Sequence, residues 1–356
     1  MKEDEMSRTL GALLAIAAVV LGASIGAQQP QQPQRPPQAA AAPPAPIPAG
    51  LPEWAYAPPV PGAPPPTSAL PADDSVVLKI PGSLVALTRG QVRGLLEIPD
   101  WFPNEHGPMP TIVRYGRSTE DARACGFCHL ADGGGRPENA PVSGLHPAYF
   151  LQQMEDFKNG LRRSADPRKA NTNNMIRFAT NLRPDEARSA AEYFAQQPHP
   201  RQITVIERTE VPKTRLQGGM HMAIQGEGAG TEPIGERIVE VPDDAFRAEA
   251  RDTHISYTAY VPAGSLAAGR ALVEKYSCAV CHGRALEGNG PIPPIAGRSP
   301  SYTMRQLFDM KAGTRKGPWS EVMKPVVQAM SVKDLMNVSA YAASLDPGGR
   351  GAAGTR

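Results

Sequence analysis

The chain has 356 residues, 41% of them hydrophobic and 20% charged, which is enough for two domains besides whatever its ends do. With 37 basic and 35 acidic side chains the formal charge is +2, and no Lys/Arg block occurs, so the balance gives no footing for a nucleic-acid partner. All four cysteines, Cys125, Cys128, Cys278 and Cys281, fall in two C-x-x-C pairs, which leaves none for a long-range disulfide.

In chain order, residues 10–27 (LGALLAIAAVVLGASIGA) are apolar and uncharged, and Ser24-Ile25-Gly26-Ala27 suits a signal peptidase. The flank is unusual, since Glu3, Asp4 and Glu5 oppose Lys2 and Arg8; a start at Met6 would give the positive segment of an export signal. Residues 1–27 read as a cleaved signal, with an uncleaved membrane anchor as the alternative, because 18 residues just suffice to span a bilayer. Either way the rest of the chain is expected outside the cytoplasm, in the periplasm. Residues 28–72 hold 16 prolines in 45 positions and read as an extended, disordered spacer. In the extension 73–117, VVLKI predicts a strand and TRGQVRGLL a short helix, with Thr88 and Gln91 spaced as a capping box.

CGFCH follows at 125–129. Two cysteines separated by two residues with a histidine straight after are a zinc corner, a redox dithiol or a haem attachment site. Downstream, HPAYFLQQMEDFKNG (146–160) predicts a helix with Phe150, Met154 and Phe157 on one face, opened by Pro147 and stopped by Gly160; another helix starts at Pro184. Residues 199–263 contain the strand-like runs ITVIERTEV and ERIVEVP, separated by the Gly-rich QGGMHMAIQGEGAG. They predict a small β-containing insert. Within it Met220-His221-Met222 is a weak candidate for copper or iron against the plainer reading of polar loop surface. The other imidazoles outside the motifs are His106, His146, His199 and His254. CAVCH then appears at 278–282, followed by a helix over SPSYTMRQLFDMKAG carrying Met304, Leu307 and Phe308. The last helix opens at Ser331 with Asp334 three residues on, and Leu335, Val338, Ala342 and Leu345 form its apolar stripe.

The two motifs belong to a repeat. At an offset of 153, Pro141 and Gly144 fall on Pro294 and Gly297, Tyr149 on Tyr302, Gln153 on Gln306, and Arg162 on Arg315. Five residues are then missing from the second copy, and at an offset of 148 Met175 falls on Met323, Leu182 on Met330 and Tyr193 on Tyr341. Each copy of roughly 80 residues has few apolar side chains, so something else must help fill its core.

A zinc site needs four ligands, usually from pairs close in sequence, and these pairs are 153 residues apart in units that would each need a complete set. A redox dithiol of thioredoxin type wants a βαβ context and no following histidine. Haem attachment needs both cysteines for thioethers and the histidine as proximal ligand, it takes place outside the cytoplasm, and the bound porphyrin supplies the missing core. Two such motifs in a matched repeat favour it strongly.

Each unit resembles a class I c-type cytochrome domain, and the tandem resembles di-haem cytochromes of the c4 type, over about 118–198 and 264–346. The resemblance implies a mainly α fold: two tandem cytochrome c-type helical domains (118–198 and 264–347), the β-containing insert (199–263) between them, the disordered Pro-rich spacer ahead and a flexible tail (348–356). It implies two covalently bound haem c groups, on Cys125, Cys128 and His129 and on Cys278, Cys281 and His282. In the family a proline after the motif receives the histidine N–H on its carbonyl; here these would be Pro141 and Pro294. The family also places a methionine seven residues before an apolar residue, which singles out Met175 before Leu182 and Met323 before Met330 as sixth ligands of the iron. These lie 46 and 41 residues after the histidines. Met154, Met304, Met310, Met330 and Met336 compete, and are assigned to the core. Tyr149, Arg162, Tyr302 and Arg315 are candidates to touch haem propionates.

With each iron held by His and Met, no site is open to substrate, and the expected function is transfer of single electrons between periplasmic or membrane redox proteins, such as a dehydrogenase donor and a terminal oxidase or other cytochrome acceptor. It is read as an electron-transfer protein and not as an enzyme. The alternatives are a haem enzyme, either a di-haem peroxidase or a sulfur-compound dehydrogenase, or the cytochrome subunit of a larger dehydrogenase.

Overall fold

The computed structural model describes residues 46–58, 62, 67–94, 96–117 and 121–348. The segment read as signal or anchor, the spacer before residue 46, and the tail beyond Gly348 lie outside the described residues. Within them the chain is mostly helical, with small sheets.

The two copies supply matched helices for reasons visible in their ends. Pro147 and Pro300 occupy the first turns of Pro147–Lys158 and Pro300–Lys311, where a missing N–H is harmless. Just ahead of them, His146 Nδ1 accepts from the Ala148 N–H and Ser299 Oγ from the Tyr302 N–H. Gly160 and Gly313, with φ of 68° and 72°, turn the chain out of these helices in the left-handed region. Phe150 and Phe157 are buried in the first, Met304 and Phe308 in the second. The closing helices are Pro184–Ala195 and Val332–Ser344. The expected Ser331–Asp334 capping box has both reciprocal bonds, and Leu335, Val338 and Ala342 are buried beneath it.

The copies differ in how they begin. In the second, Ser265–Lys275 crosses Val332–Ser344 so closely that a Cβ at Gly269 would overlap the Asn337 carbonyl oxygen. In the first, the corresponding stretch is only the turn Thr111–Arg114, and the extension supplies the missing mass. There the hairpin Val77–Lys79/Ala86–Thr88 and the helix Arg89–Arg93 form, with the expected Thr88–Gln91 capping box. Leu78, Ile80, Val92, Trp101 and Phe102 make a small separate core, and the Trp101 indole donates to the Ala250 carbonyl at 2.8 Å.

The insert contains the expected strands. Tyr257–Val261 lies between Ile203–Glu207, with which it is parallel, and Val239–Pro242, with which it is antiparallel. The Gly-rich segment read as a loop is instead a hairpin, Thr214–Gln217 with Met220–Ala223, turned by Gly218 and Gly219 at φ of 59° and 91°. Met220 and Met222 point into the core, and His221 Nδ1 lies 3.1 Å from Thr214 Oγ1.

The C-terminal end of the spacer also needs correction. Glu53–Tyr56 is a short helix with Tyr56 1% exposed; its hydroxyl donates to Asp309 Oδ1 at 2.7 Å, and Arg305 donates to the Ala55 carbonyl at 2.8 Å. Trp54 and Tyr56 give this stretch an apolar payload that a proline count does not register, so it docks on the second unit.

Candidate functional site

Two clefts among the described residues collect the residues singled out from the sequence. Cys125, Cys128, His129, Pro141 and Met175 line the first; Cys278, Cys281, His282, Pro294 and Met323 line the second. The cysteines and histidines come from single-turn helices, Cys125–His129 and Cys278–His282, so that two cysteines three apart and the next residue share one short stretch of wall.

Each histidine is oriented by its buried ring nitrogen. His129 Nδ1 donates to the Ala140 carbonyl at 2.7 Å and His282 Nδ1 to the Pro293 carbonyl at 2.8 Å. The acceptors are therefore the residues before Pro141 and Pro294, not the prolines themselves. The residue ahead of a proline is held extended, which fixes the direction of its carbonyl, while the following ring lines the cleft. With Nδ1 committed, Nε2 keeps its lone pair, and burial pushes both imidazoles below their ordinary pKa, which favours the neutral form that a metal needs.

Burial pushes Cys125 up to about 12 and raises Cys128 and Cys278 as well, the wrong direction for the attacking sulfur of a redox dithiol. Among the described residues no group of three or more His, Cys, Asp or Glu side chains converges as a zinc site requires.

Met175 lies on the helix Ala170–Asn181 and Met323 on Pro318–Gln328, which are the matched positions of the repeat. Of the competitors, Met304 and Met336 are in the core away from both clefts, whereas Met154 lines the first and Met310 and Met330 the second. The remaining imidazoles have other partners. His106 bonds Asp100, His199 lies 2.7 Å from Ser143 Oγ, and His254 bonds Glu105 while stacking on Phe102.

Between the clefts lies a polar cluster with the symmetry of the repeat. Arg162 donates to Gln153 at 3.0 Å, Tyr302 at 3.0 Å and Gln306 at 2.8 Å. Arg315 donates to Gln306 at 3.0 Å, Tyr149 at 2.8 Å and Gln153 at 2.9 Å. Arg162 and Arg315 also pair by backbone as an antiparallel bridge. Tyr149, Tyr302 and Gln306 line both clefts at once, so this cluster is their common wall.

The sequence did not single out Arg298. It is 4% exposed, donates to the Pro141 and Ser143 carbonyls at 2.8 Å each, and burial pushes it down to about 10. Its place in the first copy is taken by Leu145, so a comparison of matching residues passes over it; a charge replacing an apolar residue was the available signal. The Nε atoms of Arg298 and Arg315 are buried without a hydrogen-bond acceptor among the described residues. Such leftover donors beside an apolar cleft suit a large apolar group bearing carboxylates, and with the cysteines and bare histidine Nε2 atoms the two clefts fit haem c.

The surroundings of the two cysteine-bearing helices differ. Phe127 is covered by the Arg251 guanidinium 3.7 Å above its ring, and the same group donates to the Phe127 carbonyl. Its counterpart Val280 is 78% exposed and Cys281 is exposed.

Residues 266–346 match the family described as Cytochrome c. The chain is 38% identical over 91 residues to cytochrome c-554(547) of Halothiobacillus neapolitanus, covering 99% of that relative and 23% of this chain. Over 237 residues it is 25% identical to a thiosulfate dehydrogenase electron acceptor of Stutzerimonas stutzeri, covering 84% of the relative and 66% of this chain. Over 227 residues it is 25% identical to cytochrome c4 of Pseudomonas aeruginosa, covering 83% of the relative and 62% of this chain. With the two clefts, these matches define a haem-binding electron-transport protein. The chain belongs to the cytochrome c family.

Proposed function

We propose that the chain is an exported di-haem electron carrier, each haem c joined by thioethers to one cysteine pair and ligated by His129 and Met175 or by His282 and Met323. The observation that carries this is the convergence, twice over, of two cysteines, a neutral histidine with a free Nε2, and a methionine on one apolar cleft. The iron, when bound, takes up and releases one electron. The protein's part is to hold the ring, keep the imidazoles neutral and oriented, and offer a soft thioether that favours the reduced state. Intact-mass measurement of the mature protein should give the polypeptide plus two haems, and Cys278→Ser combined with Cys281→Ser should leave one. The bare polypeptide mass overturns the reading.

The electron donor that the relatives favour is a dehydrogenase acting on a sulfur compound, since one relative is named as the acceptor of such an enzyme. That relationship supports a carrier over an enzyme. Export is supported by the sequence at 10–27, and among the described residues no helix is long and apolar enough to cross a membrane. Partners meet the chain at the second attachment helix, whose Val280 stands open while Phe127 of the first is roofed by Arg251. Val280→Glu should slow electron exchange with a protein partner about tenfold while leaving exchange with a small neutral reductant unchanged. Equal rates with the protein partner would place the contact elsewhere.

A further inference from the structure

The first cleft contains a charged side chain that the second lacks. Lys169 lies in the stretch 163–174, which is five residues longer than its counterpart 316–322, and the lysine of that counterpart, Lys316, does not line the second cleft. It lines the first cleft and is 6% exposed. An ammonium on a buried stem at the wall of an apolar cleft carries a desolvation cost that the neutral amine does not.

We propose that Lys169 is a proton-exchanging counter-charge for the first cleft alone, binding a proton when the cofactor held there gains an electron. The inference rests on reading the clefts as haem sites. The balance is simple: one electron arrives from the redox partner, one proton arrives from water, and the new N–H bond forms on the lone pair of Nζ. When the electron leaves, the proton leaves too.

The surroundings of Lys169 place its titration where this matters. Burial, followed by the nearby Arg305 guanidinium, pushes the ammonium down to about 7. The carboxylates of Glu138, Asp166 and Asp309 act the other way. Around these stand Arg136, paired with Glu138 at 2.6 Å; Arg168, paired with Asp166 at 2.8 Å; Tyr56, bonded to Asp309; and His221, whose own imidazole is lowered by burial. An added electron removes one positive charge from the cleft, which raises the affinity of the amine for a proton. Above the amine's pKa in the oxidised state and below its pKa in the reduced state, reduction therefore takes up a proton. Asp309 is the competing group, since burial pushes it up to about 6 and it lines the same cleft.

The test is potentiometric titration of the holoprotein from pH 5.5 to 9.5, with proton release or uptake followed by an indicator dye. One of the two midpoint potentials should fall with pH near neutrality, approaching a tenfold change in the reduction equilibrium per pH unit, about 59 mV for a one-electron couple; the other should stay flat. Lys169→Arg, which keeps a charge that does not titrate, should flatten the first, and Asp309→Asn should leave its slope in place. Persistence of the slope in Lys169→Arg, or absence of proton uptake by the wild-type protein across this range, overturns the inference. A haem count other than two per chain instead overturns the reading beneath it, so the two failures are distinguishable. Carbon-13 dimethylation of the lysines adds a direct readout: one lysine resonance should titrate near neutrality and move with redox state, and a full set titrating near 10 would also overturn the inference.

Discussion

Met175→Ala should bind one carbon monoxide per chain in the reduced state, where the wild-type protein binds none. Met175 lines the first cleft from the helix Ala170–Asn181, on the same cavity as His129. Alanine is the best helix former, so the backbone is not disturbed. Removal of a fully buried methionine costs about 2–5 kcal/mol, and Met175 is only partly buried, so the loss should stay near or below the lower end. The variant therefore separates ligation from folding. Loss of the thioether should also lower the potential of one centre while the other holds. Met154 lines the same cleft from Pro147–Lys158, which makes Met154→Ala the control. If Met154→Ala opens the protein to carbon monoxide and Met175→Ala does not, the ligand has been assigned to the wrong helix. Stoichiometric uptake is measured by difference spectroscopy, and uptake of two per chain would mean that the clefts are not independently closed.

What was legible in the sequence was local or periodic. The capping boxes at Thr88 and Ser331 lie within four residues of chain, and both form as their spacing demands. The repeat placed the singled-out residues on two matched clefts because the same short helices recur in each copy. Less legible was whatever depends on residues far apart. The hairpin at 214–223 carries a two-glycine turn between alternating residues, but the glycines that follow it at 226, 228 and 230 hid the alternation. Tyr56 meets Asp309 across more than 250 residues, and nothing near Tyr56 announces a partner. The pairing of Ile203–Glu207 with Tyr257–Val261 is parallel across some fifty residues, a connection that the strand pattern alone does not specify. The histidine acceptors were displaced by one residue because a motif names a proline where the bond goes to the peptide group before it. Arg298 and Lys169 went unseen for a common reason: each sits where the two copies disagree, and matching copies draws attention only to agreement.

Arg315→Met should lower the unfolding free energy by about 3 kcal/mol and disturb both redox centres together. Methionine approximates the length of the arginine stem but donates nothing. Tyr149 loses a hydrogen bond of 2.8 Å from a charged donor, while Gln153 and Gln306 keep their bonds from Arg162 at 3.0 and 2.8 Å. Bonds to charged groups contribute about 1.5–3 kcal/mol each, so loss of all three at full value would be larger. The surviving Arg162 contacts reduce the loss, as does the relief of desolvating a second guanidinium. Urea denaturation measures the difference, and a change below about 1 kcal/mol would mean that the cluster does not clamp the units together. A second signature is electrostatic. Burial alone would push the Tyr149 phenol up, but Arg315 and then Arg162 outweigh it and hold it below its ordinary range. With Arg315 gone, the tyrosinate absorbance of Tyr149 should appear at higher pH, which lost packing alone would not produce. The redox consequence follows from position: Tyr149, Tyr302 and Gln306 face both clefts. One substitution in a shared wall should therefore shift both midpoint potentials, whereas a change to Lys169 should shift one.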